Sequence, residues 1–353
     1  MKILAMPAFS NRKHNPYNSL LYGPMAGMGA EVSEFSRGRL LRGRSDVWHM
    51  HWPEGTLVDS GLAWTMVRLA LFFAMLVTAK LKGTKLMWTM HNFHTHEQPH
   101  PRLERLFWAL FPRCLDGCFS LSEAGRKLAL ERLPVLRNKP IFVVPHGHYR
   151  GVYTDTVTRQ EARRRLGIAP DSPMVAYLGL IRPYKNVPLL IRTFRQLDNP
   201  KAALCIAGKP HTPELAREIE SAVGGDARVK TALGFVADDD MQVYLRAADL
   251  AVLPFSEILN SGSALLALSF DCPILIPRKG AMQELEARVG KDWVRTYEGD
   301  LTVQTLDEAL RWARETPRPP RAPLEPFDWP RLAAETLEAY RQVCAGQSQP
   351  RQP

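Results

Sequence analysis

The chain has 353 residues, a length that suits two domains of ordinary size better than a single core. Apolar residues make up 45% of the sequence and charged residues 23%, which excludes a disordered or fibrous protein. Its five cysteines form neither an even disulfide framework nor a zinc-type pair of pairs, so we expect free thiols. The apolar stretch at the amino terminus is too short for a signal peptide, and we expect a cytosolic protein.

The formal net charge is +10, and the surplus lies in the first half of the chain. Up to Pro170 there are 24 Lys and Arg against 12 Asp and Glu, whereas the remainder has 22 against 24. Such a surplus suits one of three partners: nucleic acid, an anionic membrane or a phosphorylated substrate. The alternative is a basic face that is merely solvated. The densest basic groups lack the interleaved aromatic residues of a nucleic-acid site, so we expect no nucleic-acid partner.

Strands and helices alternate in the first half. The predicted strands are Lys2–Met6, Val47–Met50, Lys85–Met90, Cys118–Leu121 and Ile141–Val144. The predicted helices are residues 18–29, Leu62–Leu81, Leu103–Phe111 and a helix from Glu123 that Ser122 caps. This alternation predicts a parallel sheet with helices on both faces.

The same alternation starts again after a polar connection. Strands are predicted at Val175–Leu178, Ala203–Ala207, Val229–Leu233, Leu250–Leu253 and Pro273–Ile276. Helices are predicted at Thr158–Leu166, Val187–Leu197, Pro213–Val223, Asp239–Ala247, from Ser261, and at Leu332–Cys344. The expected fold is therefore α/β, with two Rossmann-like, doubly wound domains facing across a cleft. The expected division is a first domain at 1–155, a linker at 156–172, a second domain at 173–325, a C-terminal helix at 326–345 and a disordered tail at 346–353.

One apolar run, Leu62–Leu81, is long enough to raise the question of a membrane span. Its uninterrupted part, Leu69 to Ala79, is about half as long as a bilayer core requires, and Arg68 lies inside the run. A buried or interfacial helix is the better interpretation, with peripheral attachment to a membrane surface as the functional hypothesis.

Nine of the ten histidines precede Tyr149, and most of them follow predicted strands. Seven of the nine occupy three polar segments, residues 49–54, 91–97 and 146–150. Because parallel strands end at one edge of their sheet, these segments are expected to form a functional rim. The histidine spacing is compatible with a metal, but the cationic surplus of this half disfavours one, so no metal is expected.

The second half contains two candidate anion cradles. Gly179 follows a predicted strand directly, and Arg182 and Lys185 stand beside the start of the next helix, an arrangement that suits a pyrophosphate. Asn260, Ser261 and Gly262 precede an apolar helix, although Ser261 alone is equally well an ordinary N-cap. Neither a P-loop nor a G-x-G-x-x-G is present, which disfavours ATP hydrolysis and nicotinamide binding.

These motifs carry a family resemblance. The two-domain pattern and the G-x-x-R-x-x-K-N loop resemble the GT-B glycosyltransferases, and the whole chain is similar to the bacterial xanthan-type exopolysaccharide β-mannosyltransferases. The segments that carry the second resemblance are NPYNSLLY, DVWHMHWPE, HNFHTHE, HGHYR, GLIRPYKNV, NSGSALLALSFDCPIL, WVRTYEG and DWPRL.

The resemblance implies metal-independent transfer of mannose, with inversion, from GDP-mannose to a polyprenyl-diphosphate-linked oligosaccharide, and no cofactor. It implies that the first domain holds the acceptor and the second the nucleotide-sugar, at the cytoplasmic face of the cell membrane. The donor-binding residues are then Gly179, Arg182, Lys185, Asn260, Ser261 and Gly262. The acceptor-binding residues are His51, Trp52, His94, His146, His148 and Arg150.

One departure favours an inverting enzyme. Retaining GT-B enzymes typically carry two glutamates separated by seven residues, but the position eight after Glu257 is Leu265. An inverting transfer needs a base for the acceptor hydroxyl. Glu54 is the first candidate, Glu97 the second, and His91 or His51 the third. The alternative for each is a supporting role, in which the residue hydrogen-bonds to another group of the site instead of acting as the base.

Three alternatives remain open from the sequence. The nearest is a retaining GT-B transferase with another nucleotide-sugar donor, followed by a nucleotide-sugar epimerase on the same scaffold. The third is a polyanion-binding module, which uses the basic half and requires no histidine rim.

Overall fold

The computed structural model describes residues 1–13, 15–57, 61–91 and 100–346. Contacts divide the chain into two units, the first comprising Met1–Gly147 with Phe327–Pro353 and the second His148–Pro326. Each unit contains a six-stranded sheet whose strands all run parallel, which confirms the predicted α/β class with two doubly wound sheets. Of the predicted disordered tail, only Gly346 falls within the described residues.

The strands and helices follow one another in regular alternation. The strands are β1 (Lys2–Met6), β2 (Glu31–Glu34), β3 (Val47–Met50), β4 (Lys85–Met90), β5 (Gly117–Ser120), β6 (Ile141–Val143), β7 (Met174–Leu178), β8 (Ala203–Ala207), β9 (Val229–Ala232), β10 (Leu250–Val252), β11 (Ile274–Pro277) and β12 (Val294–Tyr297). The helices are α1 (Tyr17–Tyr22), α2 (Arg37–Arg42), α3 (Leu62–Leu81), α4 (Pro101–Cys114), α5 (Glu123–Arg132), α6 (Arg159–Leu166), α7 (Val187–Arg195), α8 (Pro213–Val223), α9 (Met241–Ala247), α10 (Gly262–Ser269), α11 (Met282–Val289), α12 (Val303–Glu315) and α13 (Trp329–Cys344).

Two predicted helices contain a 3-10 segment where an α-helix was expected. The helix predicted at 18–29 is α1 followed by a 3-10 segment, Gly23–Met28, because glycines and a proline interrupt the α-helical run. The helix predicted from Asp239 begins at Met241, and the three aspartates before it form a 3-10 turn. The caps at Ser122 and Ser261 are confirmed, since each hydroxyl accepts a backbone N–H three residues on.

The sheet of the first unit has the order β2-β1-β3-β4-β5-β6. One of its faces packs against α1 and α13, and their side chains form one core cluster with Ile3, Ala5 and Met87. Trp48 and Trp88, which alternate with those positions, pack against aromatic residues of α3 and α4. The residues of β3 and β4 that share the α13 face therefore lie at odd numbers, which places His49, His51, Thr89 and His91 on one side of the sheet.

Helix α3 buries only a narrow stripe. Its buried residues are Thr65, Leu69, Phe72, Leu76 and Ala79, which follow one another at helical spacing. The opposite side exposes large apolar residues, among them Trp64 at 59% and Val77 at 57%. Within the described residues, α3 is the one helix that is long and apolar enough to cross a membrane.

The sheet of the second unit has the order β12-β11-β10-β7-β8-β9. Successive strands β7, β8 and β9 proceed towards one edge, whereas β10, β11 and β12 proceed towards the other. The order of the strands therefore reverses between β7 and β10. In open parallel sheets, ligands bind beyond the carboxyl ends of the two strands at such a reversal.

Candidate functional site

The loops that follow β7 and β10 bring the predicted donor residues together in the second unit. Gly179, directly after β7, has a φ of +139°, a conformation that only glycine adopts without strain. A methyl group built on Gly179 would lie 3.2 Å from Oγ of Ser263 and 3.7 Å from Nζ of Lys185. The backbone at Gly179 thus lies beside Ser263 in the first turn of α10.

Gly208 reinforces this arrangement at the end of β8. A Cβ on Gly208 would lie 1.9 Å from the carbonyl oxygen of Gly179, so no side chain fits between the two loops. The peptide N–H of Gly179 donates to Ala207, and that of Gly208 to Ala232. The glycine loops after β7 and β8 therefore pack directly on each other.

Lys185 is a buried cation at this site. Its side chain ends 3.5 Å from Oγ of Ser263 and 5.3 Å from the ring centre of Phe255. Burial, and then the neighbouring charge of Arg182, lower the pKa of Lys185 to about 8. A bound anion would restore the lost solvation of the ammonium group, so the pair of Lys185 and Arg182 suits a diphosphate.

Asn260, Ser261 and Gly262 lie at the amino end of α10. The Ser261 hydroxyl caps the helix by accepting the N–H of Ala264 at 3.1 Å. Leu265, which stands where retaining enzymes have their second glutamate, is buried in the same helix. Ser263 belongs to the same small-residue run, and its Oγ lies 3.5 Å from Nζ of Lys185.

The first unit assembles a second site from the histidine segments after β3 and β4. The Tyr22 hydroxyl lies 2.8 Å from Nδ1 of His49 and 2.6 Å from Nε2 of His51. Nδ1 of His51 lies in turn 3.1 Å from Nε2 of His91. These contacts form a continuous chain, which we call the histidine chain, from the core to the carboxyl ends of β3 and β4.

The inner end of the histidine chain is closed by two further hydroxyls. Nε2 of His49 lies 2.8 Å from Oγ1 of Thr89, and Nδ1 lies 2.5 Å from the Tyr340 hydroxyl. Thr89, Tyr22 and Tyr340 were missed in the sequence, and Tyr340 is 291 residues from His49, too far for any local pattern to reveal.

Burial keeps these imidazoles neutral. It lowers the pKa of His49 to about 3 and that of His146 to about 4. The pKa values of His51 and His91 are also well below the usual range, first because of burial and then because of neighbouring imidazoles. The site therefore contains neutral rings at physiological pH, each with one donor and one acceptor nitrogen.

Aromatic rings line the outer end of the histidine chain. Trp52 stacks on His91 with ring centres 4.4 Å apart. Tyr17 packs edge-on against His51 and His91, and its ring centre lies 4.9 Å from that of His146. His91 is partly buried, whereas His49 and His51 are fully buried.

The remaining predicted residues are placed as follows. Glu54 is 6% exposed in the 3-10 segment Pro53–Leu57, and His49 and His51 bond to other groups within the described residues rather than to Glu54. His148 and Arg150 belong to the second unit, where Arg150 pairs with Asp271 at 2.5 Å. His94 and Glu97 lie outside the described residues.

No group of three potential metal ligands was found within the described ranges. His94 and His96 of the predicted rim lie outside these ranges.

Comparison with known proteins agrees with this architecture. The family model for glycosyl transferases group 1 matches residues 158–287, which lie in the second unit. Sucrose-phosphate synthase from Thermosynechococcus elongatus superposes with a TM-score of 0.67 at 16% identity, covering 98% of this chain and all of the other. HepE from Anabaena, solved with UDP-glucose, gives a TM-score of 0.61 at 16% identity, with 98% and 99% covered. The protein is a glycosyltransferase of the GT-B fold.

A curated sequence relative narrows the class. GDP-mannose:glycolipid 4-beta-D-mannosyltransferase from Xanthomonas campestris pv. campestris is 31% identical over 330 residues, covering 94% of this chain and 89% of the relative. D-inositol 3-phosphate glycosyltransferase from Rhodococcus opacus is also 31% identical, but over 52% of this chain and 44% of its own length. The chain belongs to the family of the GDP-mannose:glycolipid 4-beta-D-mannosyltransferases.

Proposed function

We propose that this protein transfers mannose from GDP-mannose to a lipid-linked oligosaccharide, with inversion at the anomeric carbon, in exopolysaccharide synthesis. The observation that carries the proposal is the end-to-end similarity to the Xanthomonas enzyme. The buried Lys185 beside Gly179 and Ser263 supports a nucleotide-sugar donor in the second unit.

The donor diphosphate is assigned to the loops after β7 and β10. Arg182 and Lys185 neutralise the charge that develops on the departing GDP, and the amides at the start of α10 supply further donors. These two cations of the protein supply the compensating positive charge that a metal ion would otherwise supply, which supports metal-independent transfer. Activity that requires added magnesium or manganese, and is abolished by a chelator, would contradict this part of the proposal.

The acceptor is assigned to the first unit, where His51, His91 and His146 pack around Tyr17 and Trp52 stacks on His91. The acceptor hydroxyl attacks the anomeric carbon, the bond from that carbon to the diphosphate oxygen breaks, and GDP leaves. We assign Glu54 as the base that takes the hydroxyl proton, because it follows β3 in the same segment as His51 and Trp52. Leu265 in place of a second glutamate supports inversion over retention.

Attachment to a membrane is assigned to the exposed side of α3. Large apolar residues cover that side, including Trp64, Met66, Val67 and Leu71. The neighbouring α2 and α4 add exposed Leu41, Leu106 and Leu110. Such a surface, in the half of the chain with twelve excess positive charges, supports peripheral binding to an anionic bilayer where a lipid-linked acceptor resides.

Donor preference tests the proposal without an acceptor. Ligands that bind the folded state raise the melting temperature by mass action, so GDP-mannose should stabilise the protein more than UDP-glucose or ADP-glucose at equal concentration. The double variant Arg182→Ala/Lys185→Ala should lose this stabilisation. Equal shifts with all three nucleotide-sugars, or an undiminished shift in the double variant, would contradict the assigned donor or its site.

A further inference from the structure

We infer that the loop after β1 binds the diphosphate group of the lipid-linked acceptor through the side chains of Arg12 and Lys13, and that Glu34 holds this loop in position. The inference rests on the proposed function, because the diphosphate belongs to the lipid-linked acceptor. Residues 7–13, which follow β1 directly, are called the β1 loop.

The β1 loop lies at the reversal of strand order in the first sheet. From β1 the chain proceeds to β2 at one edge, whereas β3, β4, β5 and β6 proceed towards the other edge, so the order reverses between β1 and β3. In open parallel sheets, ligands bind beyond the carboxyl ends of the two strands at such a reversal. The β1 loop therefore forms one side of this position, and the segment after β3 with His51, Trp52 and Glu54 forms the other.

Two contacts join the β1 loop to the histidine chain. The peptide N–H of His51 donates to the carbonyl oxygen of Met6 at 3.0 Å, directly before the loop. The ring of Phe9 packs edge-on against that of Tyr22 with ring centres 6.5 Å apart, and the Tyr22 hydroxyl contacts His51. The loop and the assigned acceptor-binding residues therefore belong to one continuous cluster.

Glu34, at the end of β2, holds the β1 loop through three successive peptide groups. Its carboxylate accepts the N–H of Ala8 at 3.1 Å, that of Phe9 at 2.7 Å and that of Ser10 at 2.9 Å. Hydrogen bonds from amides to a carboxylate are charge-assisted and roughly twice as strong as those between neutral groups. The peptide N–H of Arg12 bonds in turn to the carbonyl oxygen of Phe9, so hydrogen bonds fix the backbone as far as Arg12.

Arg12 and Lys13 are cations that a ligand can reach. Both residues are exposed, and neither forms an ion pair within the described residues. The segments that follow β3, β4, β5 and β6 in the first unit contain no lysine or arginine: residues 51–57, 91–99, 121–122 and 144–147. A diphosphate bound beside the acceptor-binding residues therefore finds its compensating charge in the β1 loop, where the guanidinium of Arg12 can bind two phosphate oxygens at once.

Calorimetric titration of the full chain with farnesyl diphosphate tests this site, with GDP present at saturation to occupy the assigned donor site. Arg12→Ala/Lys13→Ala should weaken the binding of farnesyl diphosphate by at least about tenfold. Lys2→Ala/Arg137→Ala removes the same charge from exposed positions at or before the amino ends of β1 and β6, and screening by salt should keep its effect within about twofold. Equal losses in the two double variants, or no loss in Arg12→Ala/Lys13→Ala, would overturn the inference.

Glu34→Gln separates the positioning of the loop from simple charge attraction. The substitution removes a negative charge near the site, so electrostatic attraction alone would strengthen the binding of farnesyl diphosphate. Loss of the charge-assisted bonds loosens the β1 loop, so the inference predicts binding that is weaker by about three- to tenfold although both cations remain. Binding as tight as in the wild type, or tighter, would overturn the positioning role of Glu34.

Transfer kinetics and vesicle binding distinguish the acceptor from membrane headgroups as the source of the bound phosphate. In Arg12→Ala/Lys13→Ala, the KM for a polyprenyl-diphosphate-linked oligosaccharide should rise by at least about tenfold with kcat little changed, because the lost contacts bind the ground state and the transition state equally. Binding to phosphatidylserine vesicles should stay within about twofold. Weaker vesicle binding with an unchanged KM would overturn the inference. Failure to bind GDP-mannose would instead refute the proposed function, and titrations with farnesyl diphosphate, repeated without GDP, would still test the β1 loop.

Discussion

Nζ of Lys185 lies 3.5 Å from Oγ of Ser263, so the end of β7 and the start of α10 meet at a buried ammonium group. The pKa of this group is lowered to about 8 by burial and then by Arg182. Because the diphosphate favours the charged form, GDP affinity should be nearly constant from pH 7 to 8 and fall by up to about tenfold per pH unit above 8.

Calorimetric titration with GDP between pH 7 and 9.5 measures this dependence. Lys185→Arg is the control, because a guanidinium keeps its charge throughout the range and should abolish the decline. Wild-type affinity that is unchanged up to pH 9.5 would show that Lys185 does not contact the diphosphate.

Glu54→Gln should preserve donor binding and abolish most turnover. The amide keeps the shape of the carboxylate but cannot accept the hydroxyl proton, and loss of a general base typically lowers the rate by on the order of 10²–10⁴. GDP affinity should not change, because the assigned donor residues are in the second unit. Glu97→Gln is the matched comparison, and near-normal rates in Glu54→Gln would rule out Glu54 as the base.

The first unit should lose stability in mild acid. His49 and His146 have folded pKa values of about 3 and about 4, below the value of about 6.5 expected in the unfolded chain. The unfolded chain therefore binds more protons below pH 6.5, so this contribution is complete above pH 6.5 and is lost as the pH falls towards 4 and 3. At pH 5 each histidine should lower the free energy of unfolding by about 2 kcal/mol.

Urea denaturation at pH 7.5 and pH 5.0 measures this loss. His146→Gln removes one of the two titrations and should show a smaller decrease between the two pH values than the wild type. Identical urea midpoints of the wild type at both pH values would contradict burial of neutral histidines.

Membrane binding should depend on the exposed side of α3. Trp64→Gln with Leu71→Gln removes two large apolar side chains that the folded protein exposes, so vesicle binding should weaken by at least about tenfold while the melting temperature changes little. Co-sedimentation with vesicles containing phosphatidylserine, compared with neutral vesicles, measures both the apolar and the charge contribution. Phe235→Gln, which changes an exposed aromatic residue of the second unit, should leave binding intact.

Much of the fold is predictable because buried parallel strands leave a strong sequence signal. Lys2–Met6, Val47–Met50, Lys85–Met90 and Ala203–Ala207 have the predicted bounds, since each is an apolar run between residues that end strands. The missed strands, Glu31–Glu34 and Val294–Tyr297, are edge strands. An edge strand pairs on one side only and leaves several residues partly exposed, which weakens its apolar pattern.

The candidate sites were predictable where the topology of the sheet alone determines the position of a residue. Strand ends place His51 and His91 together, and the strand-to-helix turn places Lys185 at the reversal of the sheet order, so topology suffices for both. The hydroxyls that orient the histidine chain come from α1, β4 and α13. Tyr340 reaches His49 only because α13 returns to the first unit, a tertiary contact that no local pattern encodes.

The configuration of the product tests the central claim most directly. The purified protein would be incubated with GDP-α-mannose and a polyprenyl-diphosphate-linked oligosaccharide, and the anomeric one-bond carbon–hydrogen coupling of the new linkage would be measured by NMR. A single displacement inverts the donor carbon, so the account predicts a β-mannoside whose formation is lost in Arg182→Ala/Lys185→Ala. An α-mannoside, or transfer that is unaffected by the double variant, would contradict it.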